Sequence, residues 1–276
     1  MKKIIVISGA TASGKTKYAV NFCKENNGEI ISADSRQVYK YLDIGTNKEK
    51  LDITQHLIDI IEPDQTYNAA DFVRDADLKI EEIIKNGKLP VVVGGTGLYI
   101  KALLYGLDAM PPADESLRKE FKKHSQDELY NKLLKLDPES AEKNKQNPQR
   151  LLRALEVNIL SGKTMQEHFT PKSARYDFIH YTISVDNKTL YKRINDRCGQ
   201  MLKNGMIDET QKVLNMGFSK DSPALTGIGY RDIIKYLNGE ISKDDLLENF
   251  AKDTRHYAKR QNTWFKAQPD IEILKV

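Results

Sequence analysis

Gly9-Ala10-Thr11-Ala12-Ser13-Gly14-Lys15-Thr16 follows directly on the apolar run Ile4-Ile5-Val6-Ile7, and its reading decides the fold. The spacing G-x-x-x-x-G-K-[ST], with a strand before it and a helix after it, is a phosphate-binding loop. The glycines let the backbone curl so that its N–H groups point inward, and the helix start adds positive potential. Lys15 can neutralise a terminal phosphate, and the Thr16 hydroxyl can hold Mg²⁺. A polyphosphate ligand is therefore the first expectation.

Working outward, the periodicity predicts a strand over Lys3–Ser8 and a helix from Gly14 to about Asn26. It predicts further strands at Glu29–Ala33 and Gln55–Ile61. Asn68–Asn86 carries apolar residues at helical spacing and ends at Gly87. Leu89-Pro90-Val91-Val92-Val93 is a continuous apolar strand, the mark of a sheet buried on both faces. Gly94-Gly95-Thr96-Gly97 leads from it into a helix at Leu98–Tyr105. This alternation argues for a parallel sheet covered by helices. Pro111-Pro112 marks a boundary, and from 113 to about 174 the pattern is helical only, at Ser125–Leu136, Ser140–Lys145 and Pro148–Leu160. Strand character returns at Tyr176–Val185. Helices follow at Lys188–Asn204, Ile207–Met216 and Lys243–Phe265. The expected fold is α/β: a P-loop NTPase-like parallel sheet core with helices on both faces, built from 1–112 and 176–276. A helical insertion domain over 113–175 interrupts it.

Bulk properties fit a soluble globular chain of 276 residues, with 30% charged and 39% apolar residues. No apolar stretch approaches the roughly 18 residues of a membrane span. Met1-Lys2-Lys3 runs straight into the strand and does not read as a secretory signal. Cys23 and Cys198 have no metal-type spacing and read as reduced core residues of a cytoplasmic protein. Nothing in the sequence calls for more than a monomer. Of the net charge of +4, most lies in residues 113–175, with 13 Lys/Arg against 10 Asp/Glu. That excess suits an anionic polymer and equally suits a solvated helical surface.

Further segments beyond the loop carry candidate chemistry. Asp34-Ser35-Arg36-Gln37 stands at the carboxyl end of the second strand, where ligands bind in open α/β sheets. Asp34 is a candidate general base or metal ligand, and a turn is the alternative. Arg36 and Gln37 suit phosphates and base edges. Three glycines around Thr96 suggest backbone approaching a ligand. Gln149-Arg150-Leu151-Leu152-Arg153 opens a helix with two arginines on one face, fitted to phosphates or to ion pairs with Glu156. Gly227-Ile228-Gly229-Tyr230-Arg231 offers an arginine beside flexible backbone, able to stabilise charge on a leaving group. Arg255, Lys259, Asn262 and Lys266 recur at helical spacing, either as a solvated face or as a nucleic-acid stripe.

Taken together, these segments resemble the tRNA dimethylallyltransferases, also called tRNA isopentenyltransferases. The resemblance rests on Gly9–Thr16, Ser32–Tyr39, Asp43-Ile44-Gly45-Thr46, His56–Asp59, Ala70-Asp71-Phe72 and Gly94–Tyr99. It continues through Gln149-Arg150, Arg153–Glu156, Gly227–Arg231 and Ala258–Gln261 with Thr263-Trp264-Phe265. Ala10 stands where the family usually has Pro, and the insertion is a few residues short. The resemblance implies transfer of a dimethylallyl group from dimethylallyl diphosphate to N6 of the adenosine 3′ of the anticodon, with release of pyrophosphate. It implies that the phosphate loop, usually a nucleotide site, holds the donor's diphosphate, that Lys15 and Arg231 neutralise it, and that Thr16 places Mg²⁺. It further implies that Asp34 is the general base, that Thr96 organises metal and diphosphate, and that Asp34–Gln37 and Gln149–Arg153 grip tRNA. An adenylate isopentenyltransferase acting on free nucleotides, a small-molecule kinase and a non-catalytic RNA-binding protein are the competing readings.

Overall fold

The computed structural model describes residues 2–275. Its parallel sheet contains β1 (Lys3–Gly9), β2 (Gly28–Ser32), β3 (Gln55–His56), β4 (Leu89–Gly94), β5 (Asp177–Ser184) and β6 (Ile271–Lys275), in the order β3-β2-β4-β1-β5-β6. Helices α1 (Lys15–Asn26), α2 (Ala69–Lys85) and α3 (Gly97–Tyr105) connect its first half. Helices α4 (Glu115–Phe121), α5 (Gln126–Leu136), α6 (Pro138–Asn144) and α7 (Pro148–Ser161) form the insertion. Helices α8 (Asn187–Lys203), α9 (Met206–Asn215), α10 (Tyr230–Leu237) and α11 (Lys243–Lys266) follow β5.

The alternation along β1 explains why both faces are covered. Ile5 and Ile7 pack with α1 through Ala19 and Cys23, while Ile4 and Val6 pack with Phe72, Ala76, Ile80 and Leu103 of α2 and α3. Each side chain points opposite to its neighbour, so a run of apolar residues feeds two cores. A third core, including Val38, Leu42, Leu190, Ile194, Met206 and Phe250, joins α8–α11 to the loop after β2. Local signals hold the ends. The Asn68 side chain accepts the N–H groups of Ala70 and Asp71 while Asp71 accepts that of Asn68, a capping box at the start of α2.

The chain forms two compact units. One is Met1–Tyr105 with Ala174–Val276, and the other is Gly106–Ser173. The helical unit has its own core of Phe121, Leu129, Leu133, Ala141, Leu151, Ala154 and Leu155. It starts earlier than the proline pair at 111–112 suggests, because the segment before those prolines is tied to it. Lys172 pairs with Asp108, the His168 ring bonds the Ala109 carbonyl, and Arg153 donates to the Pro111 carbonyl at 2.7 Å.

Four elements differ from expectation. The third strand shrinks to Gln55–His56, because positive φ at Leu57 and Asp59 turns the backbone out of register. α10 stands where flexible backbone was expected, and α4 escapes a reading guided by long apolar stripes. β6 forms on a half-exposed, alternating segment because the open edge of β5 offers it a backbone partner.

Candidate active site

The strand order brings three loops together. β2, β4 and β1 are neighbours, and Ser32 pairs with Val93 while Ser8 pairs with Gly94. The segments that follow their carboxyl ends therefore leave the sheet at one level: Asp34–Gln37, Gly95–Gly97 and the phosphate loop. α1 begins behind Gly14 with no side-chain cap, so the N–H groups of its first turn remain available to an anion.

A small polar cavity of about 80 Å³ is lined by Thr11, Lys15, Thr16, Ser32, Asp34 and Arg197, among others. A larger one, of about 330 Å³, shares Thr11, Asp34 and Arg197. It adds apolar surface from Met201, Phe250, Ile228 and Tyr230, together with Arg36, Tyr257 and Arg260. Phosphate-loop residues, the carboxylates of Asp34 and Glu49 and the cations Lys15, Arg197, Arg36 and Arg260 thus line adjoining space.

The charges there are held at a cost that an anion would relieve. Burial pushes Lys15 down to about 8; Asp34 works against this shift, and Arg197 adds to it. Burial also lowers Arg197. Two partly desolvated cations side by side form an anion site in waiting. Lys15 meanwhile folds back on the Ala10 carbonyl at 3.3 Å. Burial raises the Tyr257 hydroxyl to about 12, so it stays protonated over the cavity.

Several expected roles change once partners are visible. Arg231 is exposed in the first turn of α10 and borders neither cavity. The arginine beside Lys15 is Arg197, which Ile194, Cys198 and Met201 hold in place along α8. Nothing in the spacing of Arg197 separates it from Arg193. The Gly227–Arg231 segment instead contributes Tyr230, whose buried hydroxyl donates to Glu209 at 2.9 Å. Glu209 in turn accepts the N–H groups of Asp43, Ile44 and Gly45, bracing the loop that carries Thr46 and Asn47 to the cavity.

Asp34 does make the turn: its Oδ1 accepts the Arg36 N–H at 2.8 Å, while the carboxylate still lines both cavities. Arg36 and Gln37 are committed internally. Arg36 donates to the Pro223 carbonyl at 2.7 Å. Gln37 accepts from Ser32 at 2.8 Å and donates to the carbonyls of Thr46 and Asn47. Their side chains brace loops, leaving little capacity for base edges. Thr96 Oγ1 accepts the Ser35 N–H at 3.1 Å and so ties the second loop to the first. The glycines beside it serve protein contacts: a Cβ at Gly94 would strike the Ala33 carbonyl, at Gly95 the Gln261 amide, and at Gly97 the Trp264 ring.

In the helical unit, Leu151 is fully buried and Leu152 packs against the same core. Leu151 offers no surface to a polymer, and Leu152 is half-buried. Arg153 binds Glu156, which is itself fully buried and also held by Arg118 at 2.8 and 3.0 Å and by the Asp114 N–H. Burial alone would raise the Glu156 carboxyl, but the bonds from Arg118 and Arg153 outweigh it and hold it below the ordinary range. The ion-pair alternative thus holds for Arg153, while Gln149 and Arg150 are exposed.

Fold and site together define an α/β protein with a phosphate-loop motif set next to a carboxylate. The family model for IPP transferase matches residues 37–268, and that for isopentenyl transferase matches residues 2–57. The chain is 71% identical to the tRNA dimethylallyltransferase of Endomicrobium trichonymphae over 98% of its own length and 94% of that protein. It is 44% identical to that of Acetivibrio thermocellus over 96% and 89%. Among solved structures it resembles the tRNA isopentenylpyrophosphate transferase of Bacillus halodurans. The TM-score is 0.75 at 36% identity, covering all of this chain and 90% of that one. It also resembles a eukaryotic dimethylallyltransferase acting on tRNA, with TM-score 0.84 at 28% identity over all of this chain and 74% of that one. The chain belongs to the IPP transferase family, whose relatives here are tRNA dimethylallyltransferases.

Proposed function

We infer that this chain is a prenyltransferase that moves a dimethylallyl group from its diphosphate to N6 of the adenosine just 3′ of the anticodon in tRNA. The observation that carries the reading is one cavity wall shared by Lys15, Thr16, Arg197 and Asp34. A base there serves a nucleophile that must shed a proton, as N6 must; a kinase also holds one, so the apolar wall beside it is what favours an allyl donor. The diphosphate sits on the loop N–H groups between Lys15 and Arg197. The apolar wall of Met201, Phe250 and Ile228 suits a C5 chain better than water. N6 attacks C1 of the allyl group, the C1–N6 bond forms, and the C1–O bond breaks with its electron pair leaving on pyrophosphate. Asp34 accepts the N6 proton.

The residues present fit Mg²⁺. The Thr16 hydroxyl is a hard oxygen donor on the cavity, and Mg²⁺ favours one or two protein ligands alongside phosphate oxygens and water. When bound, the ion neutralises diphosphate charge. The target base has to leave its stack to enter, which single-stranded RNA loops permit. Gln149 and Arg150 on the helical unit are exposed polar and basic groups for the anticodon stem-loop. With Cys23 and Cys198 buried and free, a monomer in the reducing cytoplasm completes the reading.

The test is radiolabelled dimethylallyl transfer to an anticodon stem-loop and to AMP at equal concentration. Faster transfer to the stem-loop is expected. Faster transfer to AMP would make the chain an adenylate isopentenyltransferase.

A further inference from the structure

Gln261 lies on the buried face of α11, three residues after Ala258 and four before Phe265, and is 6% exposed. Its two amide atoms reach two different loops. Oε1 accepts the N–H of Thr11 in the phosphate loop at 2.8 Å, and Nε2 donates to the carbonyl of Gly95 at 2.9 Å. β1 and β4 are hydrogen-bonded neighbours up to Ser8 and Gly94, and beyond that point their chains part. The amide spans the gap they leave. Gly95 is required for this approach, since a Cβ there would collide with Nε2. From Gly95 the connection continues one residue to Thr96, whose Oγ1 holds the Ser35 N–H beside Asp34.

We propose that Gln261 is a positioning residue for prenyl transfer, its amide setting the spacing between the loop that holds the diphosphate and the loop that orients Asp34. The proposal rests on the reaction given above. Thr11 spends its N–H on Gln261, so the amide fixes where the loop begins its curl without touching the donor. Transfer needs N6 and C1 within about 3–3.5 Å and in line, and a 1 Å misplacement can cost about 10²-fold in rate. Ala258 and Phe265 seat α11 by packing, so the helix stays in place when the amide is lost.

The side chain has to accept at one end and donate at the other. Leucine has similar bulk and does neither. Glutamate does both only while protonated, when its carbonyl oxygen faces Thr11 N–H and its O–H faces the Gly95 carbonyl. Ionised, it places a charge against that carbonyl. Burial raises a carboxyl at such a position above its ordinary value of about 4.3.

The experiment compares the full-length wild type, Gln261→Leu and Gln261→Glu. It measures single-turnover transfer from radiolabelled dimethylallyl diphosphate to an anticodon stem-loop, donor and RNA affinities, and melting temperature. Gln261→Leu is expected to slow the chemical step about 10- to 100-fold at saturating substrates, with both affinities within about threefold of wild type. Gln261→Glu is expected to approach the wild-type rate at the acid end of its folded range. Its rate relative to wild type then falls as pH rises through the carboxyl titration. A Gln261→Leu chemical step within threefold of wild type overturns the proposal, as does a loss seen only in donor affinity. Should Gln261→Leu not fold, a Gln261→Glu rate whose ratio to wild type is independent of pH overturns it. A wild type that transfers nothing sinks the reaction itself, and the proposal with it.

Discussion

Lys15 and Asp34 face each other across the small cavity, and each makes a distinct demand. Lys15 is a cation in a desolvated place, so its loss removes preorganised charge without opening the core. Lys15→Ala is expected to lower transfer on the order of 10²–10³-fold while the melting temperature holds; near wild-type turnover would remove the diphosphate from this loop. Its value of about 8, below the ordinary 10.5, has a consequence for binding. Above pH 8 the free protein loses the charge, and an incoming diphosphate restores it. Donor affinity should therefore fall as pH rises through 8. Calorimetry there should register proton uptake on binding, which constant affinity from pH 7 to 9 would contradict. Asp34 carries a turn as well as a carboxylate, and asparagine retains the turn acceptor. Asp34→Asn should thus keep stability and donor affinity within a few-fold while single-turnover transfer drops steeply. A shifted Mg²⁺ requirement with unimpaired transfer at saturating metal would make Asp34 a ligand and not the base.

Elements, more than single residues, explain the buried polar groups outside the cavity. On β5, His180 shares a hydrogen bond with Ser8 of β1 at 2.8 Å, and the Ser8 hydroxyl pairs with Thr182 at 2.7 Å. Burial lowers His180 to about 4 from 6.5. A histidine held below its ordinary value binds its proton more weakly folded than unfolded. Stability from it is complete above about 6.5 and is lost as pH falls toward 4, about 2 kcal/mol by pH 5. Wild type should lose more melting temperature between pH 7.5 and 5 than His180→Gln, and equal losses would refute the assignment. In the helical unit, Glu156 is fully buried between Arg118 and Arg153. Truncating it leaves two partly exposed guanidiniums and the Asp114 N–H without their partner, so Glu156→Ala should destabilise that unit by about 1–3 kcal/mol. Native-state proteolysis would show it as faster cleavage within residues 106–173; unchanged cleavage would count against a structural triad.

For the molecule as a whole, an RNA partner predicts a salt dependence. Phosphate contacts release counterions, so affinity for the anticodon stem-loop should fall steeply and linearly on a logarithmic salt scale. Arg150 is exposed and should contribute one such contact; Arg150→Ala is expected to weaken binding and flatten the slope by about one unit. Donor binding, which belongs to the sheet unit, should be untouched. A slope unchanged by Arg150→Ala would take this helix start out of the interface.

The sequence by itself determined the loop, the parallel sheet and the helical insertion. Each of these is written in short-range form: G-x-x-x-x-G-K-[ST] after an apolar run, Val91-Val92-Val93 bounded by Gly, and apolar residues at helical spacing along α2 and α5. It named Lys15, Thr16 and Asp34, which line one cavity, because groups at strand ends sit at fixed offsets from the strands that carry them. Only the tertiary structure decided which distant residues complete the site. Arg197 and Gln261 come from helices 182 and 250 positions beyond Lys15 and Thr11. Gln261 is legible only as a polar residue on the buried Ala258–Phe265 face. Partnership also lay largely beyond the sequence: Arg36 and Gln37 look like free hydrogen-bonding groups until the chain brings Pro223 and Thr46 against them, whereas the Arg153–Glu156 pair is already offered by its spacing. A side chain's capacity to bind a ligand is what remains after its own protein has used it, and that remainder is set by contacts between segments far apart in the chain.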